Sequence, residues 1–315
     1  MADNKKPCIL VTGAAGALAQ QVIDRLRDHY KIVAVDFREQ VHLGDGIPCY
    51  RIDFNKRVFE DIFRKYHFEG VIHLGRIRSS EEGRMRRYNA NVLGTQKLME
   101  LSHKYGVKQV SVLSTYHVYG ANAYNPALID EDFPLKAAEF TMDLVDSVEL
   151  ENLANIYLWK YPDLHITILR PCNIVGPGVR NTISINLSGN YSPVLFGFSP
   201  MMQFIHIDDM ADAIVLSYKQ NKPGIYNVAP EDWVSYQEAL VRCDCTRINI
   251  PSVPPSVPRL ISKLFKLKHF PVYLMDYFKY PVIIDGKLFR ETFGFNNKKS
   301  LKEIFQYYRN SKDID

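Results

Sequence analysis

The sequence predicts an α/β protein built on a doubly wound parallel sheet, with a smaller C-terminal lobe. Three observations carry that reading. Short apolar runs alternate with amphipathic segments through the first half of the chain. The first run breaks at a glycine turn and reopens as a helix, VTGAAGALAQQVIDRLR over 11–27. The second run, KIVAVD over 31–36, ends in an acid about 20 residues past the turn, where a ribose-binding acid stands in dinucleotide sites. Strands alternating with helices call for a parallel sheet with right-handed crossovers.

The first strand, CILVT over 8–12, stops at Gly13. Without a Cβ, Gly13 can take the positive φ that a tight turn needs. Gly16 lets a phosphate approach the backbone, and Ala19 is small enough for the helix to lie on the strand. Val22, Ile23 and Leu26 then recur at helical spacing. The start of that helix offers unpaired N–H groups and the positive end of a dipole to a pyrophosphate. Two glycines in an ordinary strand–helix turn would read the same way in isolation. The strand before, the helix after and Asp36 together favour a dinucleotide site. Asp36 suits the free 2′-hydroxyl of NAD, whereas Arg38, two residues on, could meet a 2′-phosphate.

The next elements follow in order. Ile47–Phe54 reads as a strand. Asp53 would lie beside the adenine or cap the helix Lys56–Tyr66. GVIHL over 70–74 is a fourth strand. It leads through Gly75 into a run with Arg76, Arg78, Arg84, Arg86 and Arg87. That run leaves the carboxyl edge of the sheet, where ligands bind; it reads as a solvated, partly paired charge run or as an anion site. A helix over 89–104, a strand over 109–114, a helix over 141–161 and a strand over 165–170 complete the alternation. The dinucleotide domain is thus placed in 1–175 with contributions from 203–228, and the substrate lobe mainly in 176–315. Pro251–Pro258 reads as a proline-rich connector. The apolar Leu260–Tyr280 reads as a piece of a lobe capping a pocket rather than a membrane-surface helix, because Pro271 interrupts it.

Bulk properties exclude several classes. The 315-residue chain is 46% hydrophobic and carries a net charge of +4, too mild for a nucleic-acid partner. No apolar leader follows MADNKK, and no run is long enough to span a membrane. The five cysteines make neither a disulfide framework nor a metal knuckle, so no metal is expected. A reducing cytoplasm is the expected compartment.

Taken together, TGAAGALA at 12–19, Asp36, Asp53, VIHLG at 71–75, NVLGT at 91–95, SVLSTYHVYG at 111–120, LRPCNIVGPG at 169–178, FIHIDDMADAI at 204–214, YNV at 226–228 and FGF at 293–295 resemble the extended short-chain dehydrogenase/reductases. That group includes the NAD-dependent epimerases and dehydratases of nucleotide sugars, and the resemblance runs nearly the whole length. It implies a Rossmann-type fold, NAD as cofactor, a small-molecule substrate and a homodimer paired through the helices 89–104 and 141–161. Leu98, Leu101, Leu150, Leu153, Ile156 and Tyr157 could supply that apolar face or a buried core. Matched by position, the cofactor residues it implies are Gly13, Ala15, Gly16, Ala17, Asp36, Asp53, Phe54, Leu74, Gly75, Asn91, Ser114, Pro171 and Asn173.

The resemblance also exposes two departures. The family moves the proton with a Tyr and a Lys four residues apart on one helix face, beside a Ser or Thr. Thr115 fills the Ser/Thr place, but Asp143 stands where the Tyr should be and Ser147 where the Lys should be. An ordinary carboxylic acid ionises near pH 4 and a phenol near pH 10, so Asp143 is no simple substitute. The acid is therefore Asp143 or Tyr116, with His117 nearby. Tyr218–Lys222 and Tyr308–Lys312 match the spacing but lie too far along the chain. On the substrate side, Asn173 matches the family's diphosphate contact, while Met202 replaces its Arg and Lys279 stands for a second one. A lone ammonium is a poorer diphosphate grip than a bidentate guanidinium. Asn173, Met202 and Arg76 are the expected substrate contacts. The lost Tyr–Lys pair equally suits a protein that binds NAD without turning it over.

Overall fold

A computed structural model describes residues 6–37, 41, 43–44, 46–77, 83–252 and 272–312. Arg38, Arg78, the connector from residue 253 and the apolar stretch through residue 271 lie outside the described residues.

The strands of the first half are β1 (Cys8–Thr12), β2 (Lys31–Asp36), β3 (Cys49–Arg51), β4 (Gly70–His73), β5 (Gln109–Leu113) and β6 (His165–Pro171). Those of the second half are β7 (Asn173–Val175), β8 (Tyr191–Leu195), β9 (Met201–Met202), β10 (Phe204–His206), β11 (Gly224–Val228), β12 (Val234–Ser235) and β13 (Thr246–Ile250). Seven of them form one parallel sheet in the order β11-β6-β5-β4-β1-β2-β3. The winding reverses between β1 and β4, and the crevice at such a switch point is where a ligand binds. The central strands β1, β2 and β4 are almost wholly buried, as their unbroken apolar runs require, while the edge strand β3 is partly exposed. Along β1, Ile9 and Val11 enter the core on one face, while Leu10 enters the core on the other.

The helices of this half are α1 (Ala17–Leu26), α2 (Arg57–Lys65), α3 (Arg84–Tyr88), α4 (Gly94–Lys104), α5 (Ala137–Phe140) and α6 (Val145–Lys160). Asn89–Leu93 form a π-helical turn that feeds α4. The expected helix over 141–161 begins only at Val145, because Met142–Leu144 turn ahead of it. The helix after β3 is capped by Lys56 rather than by Asp53. Asp53 instead accepts from the backbone and side-chain nitrogens of Asn55, at 3.0 and 3.3 Å, a local turn that uses up its carboxylate oxygen Oδ1. Leu98, Leu101 and Leu150 are buried in the chain's own core. They are not available to a second subunit; Ile156 and Trp159 of α6, 58% and 79% exposed, are.

The second half adds α7 (Thr182–Ser188), α8 (Ile207–Gln220) and α9 (Tyr236–Arg242). Pairs β7–β10, β8–β13 and β9–β12 build the smaller lobe. It grips the sheet at two places. Ile129 exchanges backbone hydrogen bonds with Ile283 and Asp285 at 2.8 and 2.7 Å. The loop after β7 brings Gly178, with φ +74°, so close to α1 that a Cβ there would lie 3.0 Å from that of Ala17.

Candidate active site

Gly13 has φ +72°, and a Cβ on it would lie 2.6 Å from both the Cα and N of Gly75. The turn after β1 and the loop after β4 therefore touch backbone to backbone, which requires a glycine at position 13. Gly16 N donates to Gly13 O at 2.9 Å and closes the turn, and Gly16 itself caps α1 with extended backbone. Across the switch point Asp36, nearly buried, accepts from Ala15 N at 3.0 Å. These elements wall an open cleft lined by Gly13, Gly16, Asp36, Phe37, Phe54, Leu74, Gly75, Arg76, Ile77, Ala90 and Asn91. Seven of the expected cofactor positions thus meet in one place, and the start of α1, with Ala15 and Ala17, opens beside them. Asp53 is not among the lining residues.

A buried chain of hydrogen bonds holds this wall. Gly75 N donates to Thr12 Oγ1 at 3.3 Å, and Thr12 Oγ1 meets His73 Nδ1 at 2.7 Å. His73 Nε2 meets Thr95 Oγ1 at 2.9 Å, and Thr95 Oγ1 donates to Asn91 O at 2.5 Å. Thr95 spends its proton on Asn91, so Nε2 is the donor and Nδ1 the acceptor of a neutral imidazole. Burial lowers His73 from its ordinary 6.5 to about 4. The unfolded chain therefore takes up a proton that the folded one refuses between those values. Stability is complete above about pH 6.5 and falls toward pH 4, by on the order of 3 kcal/mol for this residue. Urea titrations from pH 7 to 4.5 measure the fall; His73→Gln is expected to flatten its slope relative to wild type, because only the remaining buried histidines then contribute.

Asn91 is expected at the cofactor, and it lines the cleft, but its amide serves the protein. It bonds Ile77 in both directions at 2.8 Å and donates to Asp146 Oδ2 at 2.5 Å. Arg87 is buried beside them, its Nε 3.3 Å from Asp146 Oδ2. At this residue the arginine run is therefore not a solvated charge run but a core ion pair. Arg87 also donates to Asp143 O at 3.1 Å and stands 3.8 Å from its carboxylate. Asp143 lies in the turn ahead of α6, its side chain 41% exposed. Its described partners are those of a structural anchor.

Thr115 and its neighbours form the chemical face. Thr115 Oγ1 accepts from His117 N at 3.3 Å and pairs with His117 Nδ1 at 2.9 Å. Burial, helped by the positive charge of Arg76, pushes the His117 imidazole down to about 3, so it is neutral at pH 7. Tyr277, 160 residues on, donates its hydroxyl to His117 O at 2.5 Å and packs edge-on against the imidazole with ring centroids 4.7 Å apart. Tyr116 lies against His117 with ring centroids 4.2 Å apart and donates to Asn173 Oδ1 at 2.9 Å. Asn173 in turn donates to Gln203 O at 3.0 Å, so its amide is engaged at both ends. Arg76 donates to the Ser147 hydroxyl. A cation has thus arrived at the position where the resemblance expects a lysine, but from the β4 loop rather than from α6.

The remaining candidates are structural. Ser114 donates its hydroxyl to Glu151, and Pro171 ends β6 beside Val228. Glu151 and Arg170 form a buried pair, Nε to Oε1 at 2.6 Å. Arg170 also donates to the Tyr119 hydroxyl at 2.7 Å, and that phenol donates to Asn227 at 2.7 Å; burial holds its pKa far above 10. Met202 is buried in the core and pairs with Val234, so it faces packing rather than a substrate. Tyr218 is buried, and Tyr308 accepts from Gly176 N at 2.8 Å and donates to Ser184 at 2.9 Å. Neither far Tyr-x-x-x-Lys match reaches the cleft.

The profile of the NAD dependent epimerase/dehydratase family covers residues 9–229. The chain belongs to this family. Among its relatives are an uncharacterized protein, Rv0501, of Mycobacterium tuberculosis, 24% identical over 95% of this chain and 82% of the relative. Another is the UDP-glucuronate 4-epimerase of Thermodesulfobacterium geofontis, 27% identical over 67% of this chain and 71% of the relative. MoeE5 in complex with UDP-glucuronic acid and NAD superposes with a TM-score of 0.77 at 22% identity, covering 97% of this chain and 99% of that one. The UDP-glucose 4-epimerase of Thermus thermophilus in complex with NAD gives 0.76 at 18% identity, over 96% and 99%. These last likenesses show the fold. Tyr277 and the Arg76–Ser147 contact were not legible in the motifs, since both depend on distant segments meeting. The one available signal was an arginine placed at a strand end.

Proposed function

We propose that the chain binds NAD(H) in the switch-point cleft and passes a hydride between the nicotinamide and a hydroxyl- or carbonyl-bearing carbon of a small substrate. The substrate is a nucleotide sugar or a more apolar alcohol or ketone, and the net reaction is an epimerisation, a dehydration or a simple oxidoreduction. The observation that carries this reading is the backbone contact of Gly13 with Gly75, facing Asp36. That contact sets the turn so that Gly13 and Gly16 line the cleft at the start of α1, the end of a helix that favours a diphosphate. Gly13, Ala15, Gly16 and Ala17 would hold the diphosphate, Asp36 the adenosine ribose, and Phe54, Leu74 and Ile77 the adenine. Bound there, the cofactor supplies the hydride acceptor or donor.

The chain's own chemistry is then proton handling at the substrate oxygen. Thr115 offers its hydroxyl to that oxygen, held in place by neutral His117, with which it is already in contact. Burial keeps His117 at about 3, too weak a base to take the proton itself near pH 7. Tyr116 and Asp143 are the candidates to move it, each held by a partner in the free protein. A homodimer formed through Ile156 and Trp159 and a cytoplasmic location accompany this reading.

A second reading has its own support. Ser147 replaces the lysine that would lower a tyrosine's pKa, and no tyrosine stands one turn before it. A protein that binds NAD and reports or scaffolds without turnover fits that loss. Hydride exchange on a panel of sugar nucleotides and alcohols decides between them. Turnover that falls at least about 100-fold in Thr115→Val supports catalysis at this face. NAD binding without turnover on any substrate favours the second reading. In either case Asp36→Ala is expected to weaken NAD by about tenfold, the scale of a lost charge-assisted hydrogen-bond pair, and to narrow the preference over NADP, as read by calorimetry.

A further inference from the structure

Arg76 is the cation of this site whose charge is left uncompensated. Its Nε is buried and makes no hydrogen bond, and the neutral Ser147 hydroxyl is the side chain it donates to. No carboxylate among the described residues pairs with it, whereas its neighbour in the run, Arg87, has Asp146 and Asp143. The other charge-bearing group facing it, His117, is kept neutral. Arg76 is half-buried, and a guanidinium partly withdrawn from water without an anion carries a desolvation cost that a bound anion would offset. Arg76 cannot neutralise itself by losing a proton. Its head lies in the cleft, between the glycine turn and α6, with Ser147 fixing its orientation.

We infer that Arg76, oriented by Ser147, is the oxyanion receptor of the cleft: it takes the charged oxygens of a bound ligand, whether the cofactor's diphosphate or an acid group on the substrate. The planar fork suits both, since a guanidinium binds carboxylate and phosphate oxygens in pairs. One of its nitrogens, Nη2, is engaged by Ser147, and Nε has no partner among the described residues. The inference deepens the proposed function by giving the same cleft a charge requirement. It makes Arg76 a binding and positioning residue, supplied by the β4 loop in place of the cation missing from α6.

Calorimetry with wild type, Arg76→Ala and Arg76→Lys tests it, using NAD, inorganic pyrophosphate, and the pair UDP-glucuronate and UDP-glucose in saturating NAD. Arg76→Ala is expected to weaken at least one charged probe by about tenfold or more, with Arg76→Lys recovering part of the loss. A loss on NAD and pyrophosphate assigns the diphosphate. A loss confined to UDP-glucuronate, with UDP-glucose and NAD unchanged, assigns an acid group of the substrate. The ligand-free melting temperature of Arg76→Ala is expected to stay level or rise, because an uncompensated, half-buried charge has been removed. Unchanged affinity for every probe overturns the inference, and a fall in ligand-free stability alone would make Arg76 a packing residue. A wild type that binds pyrophosphate through Arg76 but not NAD sinks the cofactor reading and leaves this inference standing. One that binds none of the probes overturns both.

Discussion

Gly13→Val is expected to abolish NAD binding, with affinity reduced by more than about 100-fold, some 2.7 kcal/mol. Two costs combine. At φ +72° an L-residue pays about 1–2 kcal/mol for the left-handed backbone, and a β-branched one more. The added carbon would also lie 2.6 Å from the Gly75 backbone, where no flexible side chain can yield. The β4 loop must move, and with it Thr12, His73 and the lining of the cleft. Calorimetry on the variant, with a thermal melt to separate lost binding from lost fold, measures both effects. Gly13→Ala is the graded control, since it adds the same Cβ without the branch. Wild-type affinity in Gly13→Val would show that the turn does not hold the cofactor.

The second large effect concerns stability. Glu151→Ala is expected to cost about 3–5 kcal/mol, because it strands the buried Arg170 guanidinium. Glu151 and Arg170 are 1% and 3% exposed and tie α6 to β6. Glu151 also takes the Ser114 hydroxyl, and Arg170 the Tyr119 hydroxyl, so the segment that flanks Thr115 is fastened at both ends. Urea unfolding measures the loss. The double variant Glu151→Leu with Arg170→Met is expected to be less destabilised than Glu151→Ala, since it removes both charges and leaves apolar volume in their place. Equal destabilisation of the two would mean that packing volume rather than the stranded charge sets the cost.

Much of the fold was legible in the sequence because its signals are local. The turn at Gly13–Gly16, the strand ending in Asp36 and the apolar run before Gly75 each announce an element and its edge, and the family's motifs order them. Their meeting in one cleft follows from a parallel sheet, whose strands all present their carboxyl ends to the same side. What was not legible depended on separate segments meeting. Asp53 and Asn91 were expected at the cofactor; Asp53 turns back on Asn55, and Asn91 lines the cleft with its amide committed to Ile77 and Asp146. Leu98, Leu101 and Leu150 read equally as core or interface until the packing of α4 and α6 assigned them to the core.

The sequence by itself determined the sheet, the glycine turn, the acid that faces it and the absence of the Tyr–Lys pair, because each is a matter of which residue stands at which spacing. Only the tertiary structure decided what stands beside Ser147 and His117. Arg76 and Ser147 are 71 residues apart and meet across the cleft, and Tyr277 reaches His117 across 160. No periodicity encodes such contacts. They arise because the segments after β4 and β5 and the C-terminal part of the chain are brought to one edge of the sheet.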